Sequence, residues 1–83
     1  MSVEGSLRGK KCSVGTKQTT RLVESGKAAE VFVARDADPR LIQKIELLCR
    51  KMGVRITYVD SMKQLGKACG IDVGAAMAAV ANE

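Results

Sequence analysis

Eighty-three residues, 46% of them hydrophobic, make one domain around one core, exclude a globally disordered chain and leave no room for a catalytic cleft beside a cofactor domain. The chain has no His and no Trp and only one Phe and one Tyr, so the core must be aliphatic, and the commonest general base and metal ligand is missing. Fourteen Lys and Arg against nine Asp and Glu give a net charge of +5, and near the N-terminus Arg8, Lys10, Lys11, Lys17 and Arg21 face Glu4 alone. That excess suits a polyanion such as nucleic acid, although it also serves plain solubility.

Taken in chain order, residues 1–11 are polar, Gly-containing and basic, and read as a loose arm, over roughly the first nine residues, or as a short, poorly specified helix. Cys12-Ser13-Val14 reads as a short strand. Thr16 is the predicted N-cap of a helix over 17–25 that stops at Gly26. Residues 30–35 hold the apolar run Val31-Phe32-Val33-Ala34, continuous as in a strand covered on both faces. Asp38 as N-cap and Pro39 at the first helical position open a helix over 39–52. Its predicted apolar stripe is Leu41, Ile45, Leu48 and Met52, widened by Ile42 and Cys49. Gly53 ends it, and 54–59 follow as a strand. Ser61-Met62-Lys63-Gln64 has the form of a capping box, starting a short helix that ends at Gly70. Residues 71–82 read two ways: their alanines favour helix, whereas the preceding order of elements wants a last strand. The sum is a compact α/β sandwich with helices on both faces of one small sheet, in a single domain spanning 1–83.

Few residues here offer chemistry. Cys12, Cys49 and Cys69 are odd in number and form no C-x-x-C, so neither a disulfide framework nor an ordinary zinc site fits, and three reduced thiols in a cytoplasmic protein are expected. Asp36 and Asp38 read as a turn plus an N-cap rather than a magnesium site. Gly5-Ser6-Leu7-Arg8-Gly9-Lys10 is a phosphate loop one residue too short, with Lys11 where Ser or Thr is required. No apolar stretch is long enough for a signal peptide or a membrane span. Neither a cofactor nor a catalytic group is expected.

Gly15-Thr16-Lys17-Gln18 is more telling. It sets a glycine turn at a helix N-terminus, where free N–H groups and the helix dipole attract anions. Lys17 and Arg21 lie one turn apart, and Lys and Gln side chains can read base edges. The plainer reading is a solvated helix start. Ile71-Asp72-Val73-Gly74 either enters the sheet or forms an apolar loop on which an unstacked base can rest.

Three blocks then stand together: Gly15-Thr16-Lys17-Gln18-Thr19, Ala34-Arg35-Asp36-Ala37-Asp38-Pro39, and the run from Ser61 to Ala76 containing Leu65-Gly66-Lys67-Ala68-Cys69-Gly70. In order and spacing they closely resemble the YbxF type, the bacterial branch of the L-seven-Ae and L-thirty-e ribosomal-protein family, over about residues 10–80. The resemblance implies a three-layer α-β-α sandwich around a mixed four-stranded sheet, with 74–80 as strand. It implies binding of kink-turn RNA without catalysis: the helix start at 15–21 enters the major groove beside tandem sheared G·A pairs, and the loop at 71–74 covers nucleotides extruded at the bend. Carried over by position, Gly15 lets the backbone approach the RNA closely, with Thr16 beside it in the binding set, Lys17 and Gln18 read bases, Arg21 meets phosphate or groove, and Arg35 faces the phosphates. Ile71 and Val73 pack on an extruded base, within the loop that Asp72 and Gly74 complete. This chain reads Gly-Thr-Lys-Gln where archaeal and eukaryotic members commonly read Gly-Ala-Asn-Glu, so a pure donor replaces a donor–acceptor and a charge is lost.

The resulting expectation is a monomer that binds structured RNA, whether ribosomal RNA, a riboswitch or another noncoding RNA, with association to the ribosome among its settings. The rival from another class is a protein-interaction module that docks through the Ala-rich C-terminal segment or a helix face.

Overall fold

The computed structural model describes residues 12–81, so the predicted basic arm and the phosphate-loop look-alike lie outside the described residues. In order, the elements are β1 (Cys12–Val14), α1 (Thr16–Glu24), β2 (Ala28–Ala34), α2 (Pro39–Met52), β3 (Arg55–Val59), α3 (Met62–Ala68) and β4 (Met77–Ala81). The four strands form one mixed sheet in the order β1-β4-β2-β3. β4 runs antiparallel to both β1 and β2, and β2 runs parallel to β3. The α/β class and the four-stranded mixed sheet are as the sequence led one to expect.

Side-chain alternation along β2 divides the core into two layers. Val31 and Val33 point to one face and pack with Val23 of α1, Ile45 and Cys49 of α2, and Met77 and Ala79 of β4. Phe32 and Ala34 point to the other and pack with Val59, with Leu65 of α3, and with Ala78 and Val80. α1 and α2 therefore cover one face of the sheet and α3 the other, which makes the three-layer sandwich. A sheet buried on both faces explains why β2 is a continuous apolar run.

Met77, Ala78, Ala79 and Val80 are nearly inaccessible to solvent. Helix propensity favours alanine, but the pairing available on both sides of β4 overrides it, and short side chains let both helix layers close on the sheet. The strand begins at Met77 rather than at 74, because Gly74–Ala76 are still crossing from α3. Because the Ala-rich segment is the interior of the sheet, it offers no docking face, which removes that version of the protein-interaction reading.

Several local expectations shift. Gly15, not Thr16, is the N-cap of α1, and Thr16 is its first helical residue. β2 begins two residues earlier than expected and stops at Ala34, so Arg35 sits in the following turn. In α2 the buried centre is Ile45 and Cys49; Leu41, Ile42 and Leu48 flank it, and Met52 is 40% exposed. The capping choices hold: Asp38 accepts from the Arg40 N–H at 2.9 Å, and Ser61 accepts from the Gln64 N–H at 3.1 Å.

Phe32 is the largest fully buried side chain and anchors the α3 layer. Phe32→Ala is expected to cost about 3–5 kcal/mol of unfolding free energy, read as a lower denaturant midpoint. A cost below about 1 kcal/mol would mean that the α3 layer does not depend on this ring.

Candidate nucleic-acid interface

Strand direction decides which parts of the chain meet. β1 ends where β4 begins, since Val14 pairs with Ala78 and the Gly15 N–H donates to the Met77 carbonyl at 2.9 Å. β2 ends at the same edge, with the Ala34 N–H donating to the Ala76 carbonyl at 2.9 Å. β3 ends there too, and the Val59 carbonyl accepts from the Arg35 N–H at 2.8 Å. The helix start at 15–18, the loop at 71–74 and Arg35 therefore share one end of the sheet, although they are separated in sequence by 17 positions (Gln18 to Arg35, roughly 60 Å of fully extended chain) or more.

Gly15 takes φ +98°, a conformation open to glycine and strained for any L side chain, and a Cβ built there meets nothing within 4 Å. The turn is thus both sharp and unobstructed. No side chain caps α1, so the amides of its first turn face outward from an open surface. Lys17 and Gln18 are exposed there, as is Arg21 one turn on, and Thr16 is half-buried. The helix is pinned from below by Thr19, which is fully buried and donates through its hydroxyl to the Ser13 carbonyl at 3.4 Å. Among the described residues Lys17, Arg21 and Arg35 enter no salt bridge; the single pair joins Asp38 to Arg40.

The loop at 71–74 is held at both ends by backbone hydrogen bonds to α3. Its Ile71 N–H donates to the Gly66 carbonyl at 3.0 Å, and the Ala75 N–H to the Met62 carbonyl at 3.0 Å. Asp36, from the turn after β2, accepts from the Met62 N–H at 2.8 Å and so ties the start of α3 to the same edge. Between these bonds the loop lies against α3 so closely that a Cβ on Gly66 would fall 2.0 Å from the Val73 carbonyl oxygen. The structure separates the two aliphatic residues expected to act alike. Ile71 is half-buried against the core, whereas Val73 is 70% exposed. Asp72 and Gly74 are exposed on either side of Val73.

Arg35 is exposed at the β2–β3 side of this edge, its guanidinium in cation–π contact with Tyr58, 5.3 Å from the ring centre. The Tyr58 hydroxyl donates to the Glu46 carboxylate of α2, which pushes its pKa up. The sequence reading passed over Tyr58 and also Gly66, although an isolated glycine inside a helical pattern marks a close backbone approach. Among the described residues no cluster of acidic or cysteine side chains could hold a metal ion, and no helix is long and apolar enough to cross a membrane.

Comparison with known proteins places the chain in a family and supports its fold. The model of the Ribosomal protein L7Ae/L30e/S12e/Gadd45 family matches residues 2–83. The chain belongs to that family. It is 54% identical over 80 residues to the "RNA-binding protein" of Geobacillus thermodenitrificans, covering 96% of this chain and 98% of the relative. It is 50% identical over 80 residues to the RNA-binding protein YbxF of Geobacillus stearothermophilus, with the same coverage of each. Among solved structures it resembles the Giardia lamblia 15.5kD RNA binding protein, with TM-score 0.85 and 28% identity, over 98% of this chain and 68% of that one. A Bacillus halodurans protein of unknown function shares the fold at TM-score 0.84 and 20% identity, over 96% of this chain and 80% of that one.

Gly66→Ala cannot be absorbed by a side-chain rotation, because the group it strikes is backbone. The expected outcome is a destabilisation of about 1–3 kcal/mol, as for other overpacking, with amide chemical shifts that change over Ile71–Gly74. Unchanged shifts in that loop would show that Gly66 does not hold it.

Proposed function

We propose that this protein binds structured RNA, and that it recognises kink-turns by fitting their bent form. The observation that carries the reading is the single surface at the end of the sheet, where an uncapped helix start with Lys17 and Gln18 adjoins a tethered loop offering Val73. The names of the relatives and the family membership support RNA as the partner.

Each part has a physical role. The first-turn amides of α1, Lys17 and Gln18 form a donor-rich tip sized for a groove, and Gly15 lets the backbone come close. Lys17 donates to guanine O6 or N7, and Gln18 can both donate and accept at a base edge. Arg21 and Arg35 flank the tip with charge for phosphates. Val73 supplies an apolar face for a base that has left the stack, and the half-buried Ile71 supports it from beneath. A kink-turn exchanges between extended and bent forms, and a protein that fits the bent one shifts the population toward it. The same surface suits ribosomal RNA, a riboswitch or another noncoding RNA, in a cytoplasmic monomer that acts without catalysis.

The test is equilibrium binding to a short RNA duplex with a kink-turn, beside a control in which Watson–Crick pairs replace the G·A pairs. Preference for the kink-turn is expected; equal, salt-sensitive binding to both would reduce the function to generic RNA binding. Lys17→Ala is expected to weaken kink-turn binding by about 1–3 kcal/mol, and unchanged affinity would remove Lys17 from the interface. Arg35→Ala is expected to flatten the dependence of affinity on salt by about one unit of log–log slope. An unchanged slope would place Arg35 outside the contact.

A further inference from the structure

Cys12 and Cys69 are 57 positions apart in sequence, yet their sulfurs lie 3.5 Å from each other. Cys12 sits in the edge strand β1, opposite Val80 of β4. Cys69 is the C-cap of α3, immediately before Gly70 and the loop at 71–74. Both side chains pack on the α3 side of the sheet, and both residues are half-buried rather than fully enclosed. Cys49 is fully buried on the other face, among the residues of α1 and α2, and the sheet stands between it and the pair.

We propose that Cys12 and Cys69 are an oxidation site, which closes to an intramolecular disulfide when the protein meets a low-molecular-weight disulfide such as oxidised glutathione. The sulfurs have only about 1.5 Å to travel to reach bonding distance, a displacement within reach of side-chain rotation at two unbranched residues. Closure proceeds by two exchanges. One protein thiolate attacks oxidised glutathione, breaks its S–S bond and releases one glutathione thiolate. The second protein sulfur then attacks the mixed disulfide, forms the Cys12–Cys69 bond and releases the other. Two protein thiols are oxidised, one glutathione disulfide is reduced to two thiols, and the two protons leave with them. The Cys69 thiol is pushed up to about 12, first by burial and then by its contact with Cys12. Each exchange needs a protein thiolate, so closure speeds up as pH rises.

The bond fastens β1 to the end of α3, the two segments that lead directly into Gly15 and into the loop at 71–74. It also spans most of the chain, and a crosslink over so long a loop restricts the unfolded state strongly.

The experiment treats the whole reduced chain with oxidised glutathione at mildly alkaline pH, then measures intact mass, maps alkylated peptides and follows thermal unfolding. The expected product is a monomer lighter by two hydrogens, with Cys12 linked to Cys69 and Cys49 still alkylated. Its melting temperature should be about 10 °C or more above that of the reduced chain. Cys12→Ser and Cys69→Ser should each stop at a glutathione adduct or stay unmodified, without that rise. Unchanged mass, glutathione adducts on both cysteines without an internal bond, a link through Cys49, or a link only between two chains would each overturn the proposal. All of these readouts are taken without RNA, so they stand or fall apart from the RNA-binding reading.

Discussion

β4 is the last strand of the chain and the second in its sheet, and the rest of the structure depends on its insertion between β1 and β2. Without it, β1 would be three residues with no neighbour, and β2 and β3 would form a parallel pair with one open edge. Its antiparallel pairing on both sides requires that β1 and β2 end where β4 begins. The same pairing requires side chains small enough for helices above and below, and Ala78 and Ala79 meet that requirement with no exposed surface. Cooperative folding of a chain this short follows, because the closing strand is also the centre of both core layers.

The proposed RNA-facing surface is a consequence of that pairing rather than an addition to it. The carbonyl of Met77, first residue of β4, receives the Gly15 N–H that opens α1, and the carbonyl just before it receives the Ala34 N–H that closes β2. Around this fixed edge the chain is shaped by two glycines with opposite reasons. Gly15 has open space but a positive φ, so it serves the backbone conformation. Gly66 has no such φ but no space either, so it serves the approach of the loop to α3. Both place polar or apolar groups on tethered elements, which lowers the cost of ordering them when a partner binds.

Much of this was legible beforehand. Asp38-Pro39 and Gly53 bound α2 because capping chemistry is local, and Val31-Phe32-Val33-Ala34 marked a strand buried on both faces. What depended on distant partners was not legible from pattern alone. The alanines of β4 pointed to helix by propensity, and the order of elements and family resemblance were needed to read them as strand. The N-cap shifted from Thr16 to Gly15 because the Gly15 amide is engaged by Met77, a contact no local pattern shows. Ile71 and Val73 look equivalent in sequence, yet one faces the core and the other solvent. The three cysteines looked unrelated, and only the sheet order brings Cys12 beside Cys69.

In the proposed function, the helix start and the loop at the end of the sheet act as one RNA-facing surface. Titrating a kink-turn RNA into isotopically labelled protein, and following the backbone amide resonances, tests it most directly. The largest changes are expected to fall together, at the same RNA ratio, on Gly15–Gln18 and on Ile71–Gly74, while the outer face of α2 around Gln43 and Leu47 stays unmoved. Changes centred on α2, or changes at the helix start that leave the loop untouched, would contradict it.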